Sequence, residues 1–73
     1  MNEIEMVPVA SSNVESVGYD NETQMLYVKF LSGSTYVYKN VPSMEYEALL
    51  CESSVGGYLN RNIKGAYAYA RIE

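Results

Sequence analysis

Histidine and tryptophan are absent from this chain of 73 residues, and cysteine and phenylalanine each occur once. Without histidine, the chain lacks the side chain that most often moves protons near neutral pH, so we expect no enzymatic activity. The single cysteine, Cys51, excludes a disulfide within the chain and is typical of a reducing, cytoplasmic compartment. Because Cys51 lies near the end of a predicted helix, we expect an unreactive thiol in a buried or half-buried position. The sequence has neither a metal-ligand cluster nor a phosphate-binding glycine motif, and we expect no cofactor.

Long apolar runs are also absent, since none approaches the roughly 20 residues of a membrane-spanning helix. The first residues are acidic and have neither the basic start nor the apolar stretch of a signal peptide. With 48% hydrophobic and 19% charged residues, the composition is that of a globular protein rather than a disordered one. The sequence therefore predicts one small cytoplasmic domain over residues 1–73, without membrane association and monomeric rather than oligomeric.

Positive charge is scarce, with 5 Lys and Arg against 9 Asp and Glu and a net charge of −4. Residues 1–53 hold two cations and eight carboxylates, a balance of −6, whereas residues 54–73 hold three cations and one carboxylate, a balance of +2. Because non-specific nucleic-acid affinity comes mostly from neutralising phosphates, this composition argues against strong duplex binding. It leaves a local basic patch toward the C-terminus that can make weak contacts with single strands.

Tyrosine, in contrast, is abundant, with eight residues against a single phenylalanine. A buried phenol needs a hydrogen-bond partner, so we expect many of these side chains at the edge of the core with their hydroxyls in water. Tyrosines in such positions also make contact surfaces for proteins or for unpaired bases.

Three consecutive segments, residues 13–20, 24–31 and 32–40, predict the strands of an antiparallel meander. The second alternates apolar and polar residues, and the third begins with a glycine-containing turn and is rich in residues that favour strands. A further short strand around Pro8 is expected at an edge of the sheet, where proline is tolerated. The first segment carries Val14 and Val17, and the residues of the second segment expected on the core face are Leu26, Val28 and Phe30.

After residue 40 the pattern changes to that of two short helices. Pro42 and Ser43 begin the first, and acidic residues follow in its first turn, where the helix dipole favours them. Ser54 is placed to cap the second helix and Gly65 to end it, while the paired glycines at 56–57 indicate close packing rather than an anion site. The inward faces are expected to carry Tyr46, Leu49 and Leu50 in the first helix, and Val55, Leu59 and Ile63 in the second.

The predicted fold is therefore α+β, a small antiparallel β-meander of three or four strands followed by two short helices packed on one face. Within it, the turn around Gly33 decides where Tyr36 and Tyr38 point, because a one-residue slip moves every side chain to the other face. With a two-residue turn at Ser32-Gly33, facing residue numbers sum to 65 and both tyrosines lie on the open face. With a three-residue loop at residues 32–34, the numbers sum to 66 and both lie in the core. The sequence leaves these two registers open.

Several short motifs follow one another in order: VASSN, VGYD, L-x-V-x-F, Y-x-Y, VP, S-x-G-x-Y-x-N-x-x-I and a second Y-x-Y. Together they resemble the KTSC domain, a family named after a segment at the C-terminus of some lysyl-tRNA synthetases and also found as small, mostly bacterial proteins. The resemblance implies a domain whose function is not established, with RNA binding suggested by the synthetase association. Members commonly carry Lys or Arg where this chain has Gly57, which weakens the RNA interpretation. The matching positions, within residues 9–69, are Ser11, Ser12, Gly18, Tyr19, Asp20, Leu26, Val28, Phe30, Gly33, Tyr36, Tyr38, Val41, Pro42, Tyr46, Leu49, Ser54, Gly56, Tyr58, Asn60, Ile63, Tyr67 and Tyr69.

Two functional hypotheses follow, and both describe a binding module rather than an enzyme. The favoured one is an accessory module that mediates a protein interaction. The alternative is a weak binder of single-stranded RNA or tRNA, in which exposed tyrosines stack on bases and the C-terminal basic patch contacts phosphates. A purely structural interpretation, in which the tyrosines cover a small core, competes with both. The candidate contact residues are Tyr27, Lys29, Tyr36, Tyr38, Lys39, Tyr58, Asn60, Arg61, Lys64, Tyr67, Tyr69 and Arg71.

Overall fold

The computed structural model describes residues 4–73, which form one antiparallel sheet with helices against one of its faces. The sheet has five strands in chain order, and the last returns beside its neighbour after the helices. No helix within residues 4–73 is long and apolar enough to cross a membrane. The strands are β1 (Val7–Pro8), β2 (Val14–Asp20), β3 (Met25–Phe30), β4 (Thr35–Tyr38) and β5 (Tyr69–Arg71); the helices are α1 (Ser43–Cys51) and α2 (Val55–Tyr58), and α2 continues directly into a π-helical segment (Leu59–Ile63).

The predicted α+β fold is confirmed, including the short edge strand at Pro8 and the helix cap at Ser54, whose side chain accepts a hydrogen bond from the Gly57 N–H. The fifth strand is an addition to the predicted meander. Its three residues pair with β4, with Val37 opposite Ala70, so the strand depends on a distant partner rather than on a local pattern. Such tertiary pairing leaves little trace in a short segment.

A bulge in β2 decides which of its side chains face the helices. Val14 lies opposite Phe30 but Ser16 lies opposite Lys29, so the pairing shifts between them and Glu15 is the extra residue. The shift puts Val14 and Val17, three positions apart, on the same face of the sheet, where strict alternation would separate them. We call this the covered face, because the helices pack on it, and the other the open face.

The covered face and the helices share one hydrophobic core, and most of the predicted core residues lie in it. Leu50 is an exception, since 42% of it is exposed, and that prediction is wrong. Leu49 is fully buried at the centre of a narrow inward stripe of α1, and Leu50 lies about 100° further round the helix. Cys51, about 200° round from Leu49, is exposed, so its predicted burial is also wrong. The core consists of Val14, Val17, Leu26, Val28, Tyr38, Val41, Leu49, Val55, Leu59 and Ile63.

The β3–β4 hairpin follows neither of the two registers weighed from the sequence. Val28 lies opposite Tyr36, so facing residue numbers sum to 64 and the loop is Leu31-Ser32-Gly33. The Gly33 N–H donates to the Phe30 carbonyl at 2.9 Å, and Gly33 has a φ of +101°. This is the common three-residue hairpin, a tight turn followed by a glycine with positive φ.

An even sum has the same consequence for the side chains as a sum of 66: both hairpin tyrosines lie on the covered face. Tyr38, opposite Leu26, is only 2% exposed, and Tyr36 is half-buried. The loop starts one residue earlier than the three-residue alternative, because Gly33 is needed at its last position, where the backbone turns into the positive-φ region.

The loop geometry predicts that Gly33→Ala destabilises the protein, because a side chain at positive φ is strained, by roughly 1–2 kcal/mol. Gly65→Ala is the matched control, since a Cβ at either position would meet no atom within 4 Å and Gly65 has no positive φ. Urea denaturation of both variants measures the difference. Equal free energies of unfolding for the two variants would contradict the assigned loop.

Candidate functional site

A cleft of about 380 Å³ opens on the covered face beside the β3–β4 hairpin. Four aromatic side chains line it, and Ser32, Ser34, Asn13 and Lys64 complete its walls. We call it the aromatic cleft. Its four rings are those of Phe30, Tyr36, Tyr38 and Tyr69.

The four rings form a continuous chain of contacts across three strands. Phe30 and Tyr36 meet edge to face, with centroids 5.6 Å apart and planes at 88°. Tyr69 leans on both hairpin tyrosines, 5.7 Å from Tyr36 and 5.6 Å from Tyr38, at tilts of 44° and 39°. These are favourable aromatic geometries, and in them much of each ring surface is covered by the neighbouring rings. Tyr69, 57% exposed, offers the most ring surface to a ligand.

Two cations border the aromatic cleft. The Lys64 Nζ lies 5.9 Å from the centroid of the Phe30 ring, within the range of a cation–π contact. Arg71 lies opposite Tyr36 across the β4–β5 pair and on the same face of the sheet. The Arg71 Nε donates to the main-chain oxygen of Glu73 at 2.8 Å, whereas Lys64 forms no ion pair within residues 4–73, and no carboxylate of those residues lines the cleft. The site therefore combines an aromatic floor with polar walls and positive charge at its rim.

Two other cations are engaged elsewhere. Lys29 Nζ lies 4.0 Å from a carboxylate oxygen of Glu15, and Arg61 lies 3.9 Å from one of Glu52. All four side chains are substantially exposed, so these pairs contribute little stability. They do lower the local positive charge that a phosphate would meet at those positions.

A carboxylate in the first turn of α1 holds two of the predicted contact tyrosines. Tyr58 and Tyr67 both donate their hydroxyls to Glu45, Tyr67 at 2.8 Å. The hydrogen bond to Glu45, with smaller effects of burial and nearby charge, raises the pKa of Tyr58 to about 12. The same bond, followed by burial, raises the pKa of Tyr67 above its ordinary value of 10.0. These two tyrosines fasten α2 and the segment that precedes β5 to α1.

Tyr19 and Tyr46 form a further pair of tyrosines with a structural role. The Tyr19 hydroxyl donates to the carbonyl of Val41, which holds the start of the helical region against β2. Its ring stacks on Tyr46 with centroids 5.1 Å apart and planes at 14°. Burial raises the pKa of both phenols, as expected for rings at the margin of the core.

A second, polar cleft of about 310 Å³ adjoins the first at Asn13. Its residues are held by local hydrogen bonds: Ser11 Oγ accepts from the Val14 N–H at 3.3 Å and donates to Asn13 Oδ1 at 3.1 Å. A Cβ on Gly56 would lie 2.5 Å from Asn13 Oδ1, so only glycine allows α2 to approach this closely. The serine and glycine motifs of the sequence thus join the start of β2 to the start of α2.

The predicted contact residues do not form one surface. Tyr36, Tyr38, Lys64 and Tyr69 line the aromatic cleft and Arg71 borders it, whereas the others are dispersed: Tyr27 and Lys29 on the open face, Lys39 exposed after β4, Tyr58 and Tyr67 against Glu45, Asn60 at the polar cleft, and Arg61 beside Glu52. Sequence reasoning placed Phe30 only in the core and missed Ser34 and Glu45. The hairpin register is the signal that would have placed Ser34 beside Tyr36 and Phe30.

The model of the KTSC domain family matches residues 10–67. An uncharacterised protein of Stutzerimonas stutzeri is 43% identical over 68 residues, which cover 92% of this chain and 96% of that protein. A protein of Tsukamurella paurometabola is 41% identical over 59 residues, 81% of this chain and 88% of its own length. The crystal structure of a KTSC domain protein from Yersinia pestis superposes with a TM-score of 0.91 at 32% identity, covering 97% of this chain and 100% of that one.

A longer relative contains a similar segment. The lysine–tRNA ligase of Nostoc punctiforme is 34% identical over 61 residues, which are 84% of this chain and only 11% of the ligase. The likeness concerns that segment and not the ligase as a whole.

The different burial of Tyr38 and Tyr69 predicts that replacing each by alanine lowers the free energy of unfolding by very different amounts. Tyr38→Ala removes a fully buried ring and should cost about 3–5 kcal/mol of unfolding free energy. Tyr69→Ala removes a ring that is 57% exposed and should cost about 1 kcal/mol or less. Urea denaturation distinguishes the two. If the Tyr38→Ala variant were as stable as the Tyr69→Ala variant, Tyr38 would not be buried in the core and would again be a candidate contact residue.

The Glu45 cluster predicts a loss of stability at high pH. The folded state raises the pKa of Tyr58 from 10.0 to about 12, so its protonated form is favoured by folding. This contribution is complete below pH 10 and is lost as the pH rises toward 12. Unfolding free energies measured across that window should fall less steeply for Tyr58→Phe than for the wild type. An unchanged slope for Tyr58→Phe would contradict the assignment.

Proposed function

The chain belongs to the KTSC domain family, and from that premise we propose that it is a small, non-catalytic binding module whose aromatic cleft takes a segment of another protein. The observation that supports this is the combination of an aromatic, tyrosine-lined floor with a positively charged rim. The partner segment has an apolar or aromatic side chain for the floor and a carboxylate for the rim.

The floor has the composition of a protein-binding surface. Tyrosine is enriched at interfaces because its ring gives a large contact area with few rotatable bonds, and its hydroxyl tolerates water. The volume of about 380 Å³ falls within the roughly 300–1,000 Å³ of ligand-binding clefts. Because the rings of Phe30, Tyr36 and Tyr69 pack on one another, their positions are fixed before a partner arrives. Such preorganisation lowers the entropic cost of binding.

The rim selects the charge of the partner. Lys64 has no carboxylate partner within residues 4–73, and Arg71 donates its Nε to the main-chain oxygen of Glu73 at 2.8 Å. An incoming Asp or Glu therefore meets Lys64 unpaired and the outer nitrogens of a guanidinium that is already bonded on one side. A basic segment would be repelled by the same two cations. The chain as a whole is acidic, with a net charge of −4, which disfavours segments rich in acid except at this rim.

RNA fits the same cleft less well. A base-stacking site needs exposed ring faces, whereas Tyr38 is 2% exposed and the face of Phe30 lies under Lys64. The predicted C-terminal basic patch is divided, because Arg61 faces Glu52 while Lys64 and Arg71 lie at the aromatic cleft. The net charge further weakens attraction to a phosphate backbone.

Filling the cleft tests the proposal. Ser34→Trp puts a large ring into the cleft without removing the hairpin bond, because the Ser34 carbonyl, and not its side chain, accepts from Phe30. Ser43→Trp, at the exposed first residue of α1, is the matched control. Random peptides displayed on phage are selected on the wild type, and their affinities are then measured by fluorescence anisotropy. We expect the selected peptides to share an apolar residue near an acidic one. Their affinity should fall at least about tenfold for Ser34→Trp and remain unchanged for Ser43→Trp.

A titration with oligouridine at low salt is run on the same three proteins. Peptides that bind Ser34→Trp as well as the wild type would remove the cleft from the function. Oligouridine that binds the wild type and is blocked by Ser34→Trp, with no cleft-dependent peptide recovered, would replace the protein partner by RNA.

A further inference from the structure

One edge of the sheet has unpaired backbone groups next to the aromatic cleft. The Ile72 N–H donates to the Thr35 carbonyl at 2.8 Å, and the Ala68 carbonyl accepts from the residue after β4 at 2.8 Å. Residues of an antiparallel pair alternate between those that bond to the partner strand and those that do not. Tyr69 and Arg71 therefore direct their N–H and C=O groups away from β4, toward an edge on which no further strand of residues 4–73 lies.

The two edges of the sheet differ in protection. At the other edge, β1 is two residues long and contains Pro8, which has no N–H to offer to an added strand. β5 is also short, with three residues and one cation, but it contains neither proline nor a bulge, and its edge residues Tyr69 and Arg71 are exposed. Its outward N–H and C=O groups therefore remain open to an extended peptide, which adds to a sheet through such groups.

We propose that the partner segment adds to the free edge of β5 as a sixth, antiparallel strand, with an acidic residue beside Arg71 and an apolar residue beside Tyr69. This rests on the proposed function and names the conformation and spacing of the partner. Every strand pair in the sheet is antiparallel, and the added strand continues that pattern. Main-chain hydrogen bonds supply affinity and the two side chains supply selectivity.

The spacing of the two partner residues follows from the register. Tyr69 and Arg71 lie two positions apart and both face the covered side of the sheet, opposite Tyr38 and Tyr36. Partner residues directly across from them also lie two positions apart and on that side. Since an antiparallel strand runs the other way, the residue across from Arg71 comes first in the partner. The partner sequence is therefore acidic–any–apolar.

The apolar residue is placed at the wall of the aromatic cleft. Tyr69 is 57% exposed, and its ring contacts Tyr36 and Tyr38 on the side toward the floor. A leucine across from Tyr69 covers the exposed part of that ring. The Arg71 Nε donates to the main-chain oxygen of Glu73 at 2.8 Å, and within residues 4–73 its two terminal nitrogens have no hydrogen-bond or ion-pair partner, so the carboxylate across from Arg71 meets those two nitrogens.

The test uses a synthetic peptide, Gly-Thr-Thr-Glu-Thr-Leu-Thr-Thr-Gly, labelled with fluorescein at its N-terminus. Its Glu and Leu face the same side of an extended strand. A control peptide with the same composition places Glu and Leu next to each other, so that they face opposite sides. We expect the first peptide to bind the wild type at least about tenfold more tightly than the control. Equal affinities, or no binding of the first peptide, would overturn the proposal.

Backbone methylation of the peptide tests strand addition without changing the protein. A methyl on the nitrogen of Glu or Leu removes an N–H that faces β5 and should weaken binding about tenfold or more. A methyl on the nitrogen of the intervening Thr removes an N–H that points to solvent and should have little effect. Equal effects of all three methyl groups would overturn the proposal.

Two variants at Arg71 distinguish the contribution of the backbone N–H at the strand edge from that of the positive charge. Arg71→Pro removes the outward N–H and the cation, whereas Arg71→Ala removes the cation alone; the first should weaken binding more. Peptides selected on phage that depend on the cleft but bind Arg71→Pro and Arg71→Ala equally would leave the proposed function intact and overturn strand addition. Sedimentation of the wild type alone should show a monomer; a dimer broken by Arg71→Pro would assign the edge to a second copy and overturn the proposal.

Discussion

The position of one tight loop determines most of this molecule. Because Gly33 is the residue that adopts a φ of +101°, the β3–β4 loop is Leu31-Ser32-Gly33 and facing residues sum to 64. A shift of one residue would turn Tyr36 and Tyr38 to the open face and leave the core without its largest fully buried side chain, Tyr38. The aromatic cleft exists because these tyrosines share the covered face with Phe30 and Tyr69.

The abundance of tyrosine has a physical explanation in this small core. A phenol covers apolar surface with its ring and fixes a neighbouring segment with its hydroxyl, so one side chain does what otherwise needs two. Tyr19 ties β2 to the Val41 carbonyl, and Tyr58 and Tyr67 both donate to Glu45 in the first turn of α1. Tyrosines that are occupied in this way are poor candidates for recognition. Tyr69, whose ring is mostly exposed, differs from them in having surface left for a partner.

The sequence was sufficient for the elements and insufficient for the site. Alternation and capping residues located β3 and both helices, because those signals are local: Leu26 and Val28 are buried, and Ser54 caps α2. The site depends instead on register and on distant pairing. The bulge at Glu15, the exact loop and the return of β5 each move side chains between faces, and none is encoded by a periodic pattern. Residues that the sequence grouped only because of their type, such as Tyr27 and Tyr36, therefore lie on opposite faces of the sheet.

The hairpin register can be measured directly by two-dimensional NMR. Strong Hα–Hα cross-peaks arise between residues of non-hydrogen-bonded antiparallel pairs, where the strands approach most closely. The Phe30 N–H donates a backbone hydrogen bond to the Ser34 carbonyl, so these two residues form a hydrogen-bonded pair. Hydrogen-bonded and non-hydrogen-bonded pairs alternate along the hairpin, which makes Lys29–Thr35 and Tyr27–Val37 non-hydrogen-bonded pairs. Our account predicts cross-peaks for both. A cross-peak of Val37 with Val28 instead would contradict it, because the tyrosines would then face the open side and the aromatic cleft would not exist.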